Sequence, residues 1–317
     1  MELAAIEQLP VELLQSIFIS ADHNLALLKA SPYIAARLSS EYVYKSTVDR
    51  YFSGIPNFLA DAEAQTYLFA SKWMTWAYFK CWVLRAFEAH GCLCASKECF
   101  DPQWPPDFED ATTMVFSRSH LPKLSFIRCR LPIKLLHGPW TQDKVQYLRF
   151  LLWTTSMSVD WRSEAAALAA LRGRRDAMTE QNLEAVELFN HNRRLGRGAS
   201  LSTIQFAVMK AGCNRSIVYD TMLAANLWGG IRGSCKELDD WACERTKAGD
   251  PKGQWVQTKL KELRDYNCHD YQDGKLNSTS GDYDGGADDR LIVHKLEWNE
   301  VSDAFHLLLP NRAHHQT

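Results

Sequence analysis

The sequence lacks a surplus of charge of either sign. Lys and Arg number 36 against 38 Asp and Glu, for a net charge of −2 and an isoelectric point of about 6.6. No basic footprint for nucleic acid is present, so no nucleic-acid partner is expected. No secretory leader is expected either: Met1 is followed by Glu2, with neither a basic n-region nor an apolar h-region. Nine cysteines, an odd number, then fit free thiols in a reducing intracellular setting, cytoplasm or nucleus, better than a disulfide framework. Nowhere does an uncharged apolar run reach the ~18 residues that a membrane span needs. The nearest, TYLFASKWMTWAYFKCWVLRAF from Thr66 to Phe87, is interrupted by Lys72, Lys80 and Arg85. It reads as core, and no membrane partner is expected. Catalytic signatures are absent as well: there is no G-x-S-x-G, no G-x-x-x-x-G-K-[ST], no H-E-x-x-H and no strand-flanked G-x-G-x-x-G. The expectation is a non-catalytic protein without a cofactor.

Apolar material is abundant. Hydrophobic residues make up 46% of the 317, with 11 Trp, 11 Tyr and 14 Phe, enough for a sizeable core and for two domains. The N-terminus concentrates it in LPVELLQSIF, Leu9 to Phe18. Pro10 suits the first turn of a helix, where its missing N–H costs nothing. Val11, Leu13, Leu14, Ile17 and Phe18 then cover about 160° of helix surface at ~100° per residue. So wide an arc implies two apolar faces. One packs on the helices that follow, and the other is buried elsewhere. Asn24 is placed to cap LALLKA, Ser31 to cap a helix opening on Pro32, and Ser40 to cap EYVYKSTVDRYF. The first ~50 residues therefore read as three or four short helices.

LPVELLQSIF followed by NLALLKASPYIAARLSS resembles the F-box. That family opens on Leu-Pro-x-Glu, two aliphatics, two spacers, then an aliphatic and a Phe or Leu. Leu9, Pro10, Glu12, Leu13, Leu14, Ile17 and Phe18 match this pattern, and Tyr33 is nearest to the aromatic the family often carries further on. With SSEYVY after the third helix, the stretch looks like the F-box-like proteins of filamentous fungi. The resemblance covers about residues 6–50. It implies docking on a Skp-family adaptor of a cullin–RING (SCF-type) ubiquitin ligase, with the rest of the chain selecting a protein substrate. By position, Leu9, Pro10, Leu13, Leu14, Ile17 and Phe18 become the expected partner contacts. Buried aliphatics contribute about 1.5–3 kcal/mol each, gross, whereas association costs about 4–15 kcal/mol. The first helix alone makes a marginal interface, so the next two must add contact area. The alternative is a helical interaction or scaffold protein unrelated to ubiquitination, with both faces of the first helix packed inward.

Beyond the expected 1–52 module, SGIPNFLA at 53–60 reads as a linker. A long aromatic helix is expected over Asp61–His90, with Trp73, Trp76, Phe79, Trp82 and Phe87 as core. His90, Cys92, Cys94 and Cys99 crowd together without the paired C-x-x-C spacing of a zinc site, so free thiols are expected and no metal. Thr141 is placed to cap a helix over Gln142–Trp153, with Trp140 and Val145 at staple positions. After Asp160 three helical pairs follow, opening on DWRSEAAALAALR, SLSTIQFAVMKAG and CKELDDWACERTK. Val186 and Val218 lie 32 apart, but later offsets drift. An irregular bundle and a degenerate repeat both remain open. Arg172, Arg174, Arg175, Arg193, Arg194 and Arg197 gather around these turns, among acidic neighbours, as solvated helix ends. Residues 270–290 are acidic and low in complexity and read as a mobile loop; a calcium-loop match fails at Ala287 and Val293. LIVHKLEWNEVSDAFHLLLP reads as a short strand and then a helix. The expected architecture is all-α: an F-box-like module over 1–52 and a larger helical domain over 61–317.

Overall fold

The computed structural model describes residues 4–52, 60–90, 107–108, 124, 126–227 and 235–272. The linker at 53–59, Cys92, Cys94 and Cys99, the acidic segment after Gln272 and the strand-and-helix reading of 291–310 lie outside the described residues. Within them the fold is all-α. Contacts divide the chain into two compact units: 1–104 with 122–132 and 154–157, and 105–121 with 133–153 and 158–317. The expected division into 1–52 and 61–317 followed the break in composition. The contacts draw the line elsewhere because the aromatic helices after residue 60 pack with the N-terminal ones.

In the first unit a short 3-10 turn, Ala5–Gln8, leads into α1 (Val11–Ser20), α2 (Ala26–Ala30), α3 (Pro32–Arg37) and α4 (Glu41–Tyr51). The capping residues act as their chemistry demands. Ser31 Oγ accepts from Tyr33 N and Ile34 N, and Ser40 Oγ from Val43 N, whereas Asn24 lies one residue ahead of Leu25, the N-cap of α2, and its Oδ1 accepts from Ala26 N in a local turn. The aromatic stretch is two helices where the sequence suggested one: α5 (Ala60–Ala70) and α6 (Trp76–His90). Ser71 Oγ bonds back to the carbonyl of Tyr67, and Thr75 Oγ1 accepts from Tyr78 N and restarts the helix. Such hydroxyls offer the backbone an alternative to the helical ladder. The break frees Trp73 to stack on Tyr44 at 4.2 Å. Phe52, Phe69, Phe79 and Trp82 form the aromatic centre, with Phe52 5.4 Å from Phe69 and 5.1 Å from Trp82. The indole N–H of Trp82 is satisfied by Asp49 at 3.1 Å. Buried Gln65 spends its amide fully, donating to the carbonyls of Tyr51 and Phe126 and accepting from Arg128 N.

The second unit begins with a 3-10 turn at Ile133–Leu135 and α7 (Gln142–Thr154). Thr141 Oγ1 accepts from Lys144 N, Trp140 and Val145 are both buried, and every residue from Val145 to Trp153 is buried. Three helical hairpins follow: α8 (Glu164–Thr179) with α9 (Leu183–His191), α10 (Leu201–Met209) with α11 (Arg215–Leu227), and α12 (Lys236–Lys247) with α13 (Pro251–Gln272). First helices pack on first helices and second on second, so the hairpins stack in two rows. Their tips share one device. A residue with positive φ (Gln181 59°, Cys213 53°, Gly249 78°) precedes an Asn or Asp that caps the second helix. Asn182, Asn214 and Asp250 accept from Ala185 N, Ile217 N and Lys252 N. In the outer two hairpins the amides of Asn182 and Asp250 also close on the carbonyls of Ala177 and Arg245, a left-handed C-terminal cap. Val186 and Val218, both fully buried, are the fourth residues of α9 and α11. The register slips in α13, whose fourth residue is exposed Gln254.

Entry into the stack is set by Trp140. Its indole N–H donates to the carbonyl of Gly173 at 3.0 Å and its backbone N–H to Glu180 at 2.7 Å. A Cβ on Gly173 would stand 1.8 Å from the carbonyl oxygen of Leu136. Gly to Ala inside a helix ordinarily stabilises by about 0.5–1 kcal/mol. Here Gly173→Ala is expected to destabilise instead, by about 2 kcal/mol. Urea unfolding of the variant gives the sign directly; a raised midpoint would contradict the close packing of α8 on residues 136–137.

Candidate functional site

α1 has two apolar faces, each built from residues one turn apart. Leu14 and Phe18 point inward and are 2% and 0% exposed, whereas Leu13 and Ile17 point outward and are 52% and 40% exposed. Pro10 is exposed, and Leu9 and Val11 are half-buried. The six residues placed together as partner contacts are therefore not on one surface. Leu14 and Phe18 belong to the core because the 100° step per residue turns them away from their neighbours in sequence. Leu9, Pro10, Leu13 and Ile17 remain available. Tyr33 and Tyr42, on α3 and α4, are exposed too.

Both ends of α1 are held. At the N-terminal end the Glu7 carboxylate accepts from Ala4 N at 2.8 Å and from the Ser31 hydroxyl. These bonds hold its carboxyl below the usual range, the Ser31 bond contributing most. Arg37 donates to the carbonyls of Glu7 at 3.1 Å and Leu9 at 2.5 Å, tying the Leu-Pro turn to α3. Gln15 reaches Ser40 at 3.4 Å. At the C-terminal end two consecutive non-glycine residues take positive φ, Asp22 at 55° and His23 at 56°. Such residues are uncommon there, and neighbours over-determine these two. Arg50 grips both carboxylate oxygens of Asp22, at 2.5 and 2.6 Å. His23 is 7% exposed, with Nε2 2.5 Å from Ser46 Oγ and its ring edge-on to Phe18 at 5.4 Å. Tyr51 donates to the carbonyl of His23 at 3.0 Å. The exposed pair thus sits on a helix fastened at both ends to α3 and α4, so little ordering remains to be done on binding.

Sequence reasoning missed this elbow and Arg37. The signal was present in Ala-Asp-His-Asn, since Asp, His and Asn tolerate the left-handed region better than most residues.

The second unit carries a buried polar cluster. His191 Nε2 lies 2.6 Å from Asp220 Oδ1, and Asn190 donates to Asp220 at 2.8 Å and Thr221 at 3.2 Å, all fully buried. Thr221 in turn donates to the carbonyl of Ile217. The group cross-links α9 to α11. Nearby Arg149, also fully buried, faces Glu184 at 3.7 Å. Burial lowers its affinity for a proton, against the pull of Glu184 and Glu187. Arg174 and Arg194, grouped above with solvated arginines, are turned inward to the carbonyls of Arg197 and Leu152. Burial pushes the Cys129 thiol up to about 12 and the Cys213 thiol to about 11, so both are inert. Among the described residues no group of three or more His, Cys, Asp or Glu is placed to hold a metal ion, and no helix is long and apolar enough to cross a membrane.

No family model, no curated protein and no solved structure matches the chain.

Two outcomes follow for α1. Phe18→Ala is expected to cost about 3–5 kcal/mol, whereas Leu13→Asp with Ile17→Asp should leave stability within about 0.5 kcal/mol. Denaturant titration of both variants separates the faces, and equal losses would mean that the outer face is packed. The second concerns His23, whose burial lowers its pKa below the usual 6.5, against the opposing pull of Asp22. Its contribution is fully present above about pH 6.5 and is lost as pH falls through the lower folded value. Unfolding midpoints at pH 7.5 and 5 should therefore differ more for the native chain than for His23→Gln; parallel curves would remove His23 from the account.

Proposed function

We propose that the chain is an F-box-like adaptor, docking a Skp-family partner through α1 and presenting the stacked hairpins of its second unit to a protein substrate of a cullin–RING ligase. The observation that carries this reading is the exposure of Leu13 and Ile17 on a helix whose other face is locked into the core. An isolated, mobile helix would hide such residues by repacking, and this one is fastened at both ends. Sequence match and geometry meet at Leu9, Pro10, Leu13 and Ile17, with Leu14 and Phe18 supporting the surface from below. Tyr33 and Tyr42 supply the further contact area that α1 by itself lacks. Stacked helical hairpins commonly offer extended surfaces to other proteins, although architecture does not name a substrate.

Co-purification with adaptor and cullin tests the proposal. Loss of two exposed aliphatic anchors removes about 1.5–3 kcal/mol each, so Leu13→Asp/Ile17→Asp should weaken adaptor binding at least about tenfold in calorimetry. The circular dichroism spectrum and melting of the variant should stay native. Undiminished adaptor binding by a folded double variant would end the F-box-like reading. Binding of a helical partner through the same face without cullin would favour the scaffold alternative.

A further inference from the structure

A second exposed surface lies on the outer side of α8 in the second unit. Leu168 is 55% and Leu171 39% exposed, and Arg172 and Arg175 continue the same side of the helix. Two arginine–aromatic stacks flank this stretch: Arg175 lies over Phe206 of α10 at 5.3 Å, and Arg197 over Trp161 at 4.7 Å. Arginine and aromatic side chains around exposed leucines are the composition of a binding surface. Arg162, Arg172, Arg175 and Arg197 are exposed, and among the described residues none of their guanidinium groups is paired with a carboxylate. Four carboxylates adjoin them: Asp160, Asp176 and Glu180 each have an oxygen committed to a backbone amide, of Arg162, Gly138 and Trp140 respectively, and Glu164 is exposed at the first residue of α8. Two arginines held by aromatic rings, two more beside them and a pair of bare leucines call for an occupant that is both acidic and apolar.

The chain itself contains one. It continues from Gln272 to Thr317, and between Asp282 and Asp303 it has seven carboxylates against Arg290 and Lys295. Trp298, Val301, Phe305 and Leu308 recur at intervals of three and four, the spacing of one helical face, with Glu300 and Asp303 falling on the other side. The 25 residues 273–297 span up to roughly 80 Å at about 3.3 Å per residue, against roughly 33 Å for α13, the longest helix among the described residues. A tether of this kind raises the local concentration of the segment to the millimolar range.

We propose that residues 298–309 dock on the α8 face, seating Trp298, Val301 and Phe305 against Leu168 and Leu171 while the acidic residues meet Arg172 and Arg175. The tail then covers this surface of the second unit from within the chain, and an acidic, apolar protein segment binding there must displace it. This does not rest on adaptor docking by α1.

Photo-cross-linking in the full chain tests it, with Phe305→p-benzoylphenylalanine as probe and mass spectrometry of the tryptic products as readout. The expected products run at monomer mass and join position 305 to residues 162–175 or 201–210. Arg172→Glu/Arg175→Glu should reduce their yield at least fivefold. Because that variant could perturb α8, Glu297→Lys/Glu300→Lys/Asp303→Lys provides an equivalent reversal outside the folded unit with the same expected loss. Combining the two reversals should restore the yield. Cross-links confined to other parts of the chain, cross-links between two molecules, an absence of cross-links, or a yield insensitive to both reversals would each overturn the proposal.

Discussion

Phe18 is fully buried with the ring of His23 standing edge-on against it at 5.4 Å. That contact determines the rotation of α1 about its own axis, and so decides which of its aliphatic residues meet solvent. With Phe18 and Leu14 inside, the 100° step leaves Leu13 and Ile17 outside. His23 can reach Phe18 only because the chain turns back through two left-handed residues, and the fork of Arg50 on Asp22 offsets the strain of that turn. Burial of one aromatic ring, an ion pair and a strained elbow together make a rigid platform from five short helical pieces. None of these, at 4–11 residues, would be stable alone.

The second unit solves a different problem. Its helices are joined by tight tips, and each tip must satisfy the free amides and carbonyls of two helix ends at once. A left-handed residue followed by Asn or Asp does both. Side chains then lace neighbouring tips together: Gln181 donates to the carbonyl of Ala211 at 2.6 Å and Lys252 to that of Gly212 at 2.8 Å. Between the second helices the Asn190–His191–Asp220–Thr221 group ties α9 to α11 in one register. Sliding by one residue would leave Asp220 buried and unpaired, which is far costlier than losing an apolar contact. The buried polar residues thus specify alignment, and the apolar ones supply the bulk of the burial.

The exposed surfaces of the two units share a construction. In each, a helix keeps leucine or isoleucine in solvent on one side while the opposite side is committed to the core. The α1 surface is apolar and flanked by tyrosines. The α8 surface is apolar and flanked by arginines, two of them held over aromatic rings. Partners of different chemistry fit the two.

Local features were legible in the residues alone. Ser31, Ser40 and Thr141 cap where a short polar side chain beside an apolar run must cap, the three pairs after Asp160 fall where their turn residues put them, and the all-α class follows from helical spacing throughout. These depend on interactions within about four residues, and such interactions are written in the order of the chain. Tertiary structure decided the rest. The interruption of the aromatic stretch at Ser71–Thr75 comes with the stacking of Trp73 on Tyr44, and α6 joins the N-terminal unit through Phe52 and Asp49. The division of α1 into an inward and an outward face hangs on His23, Ser46 and Arg50, up to 28 positions away in sequence from their partners. Periodicity shows that a helix is apolar over a wide arc. Which half of that arc stays in water depends on what packs against the other half, and only the folded chain brings those residues together.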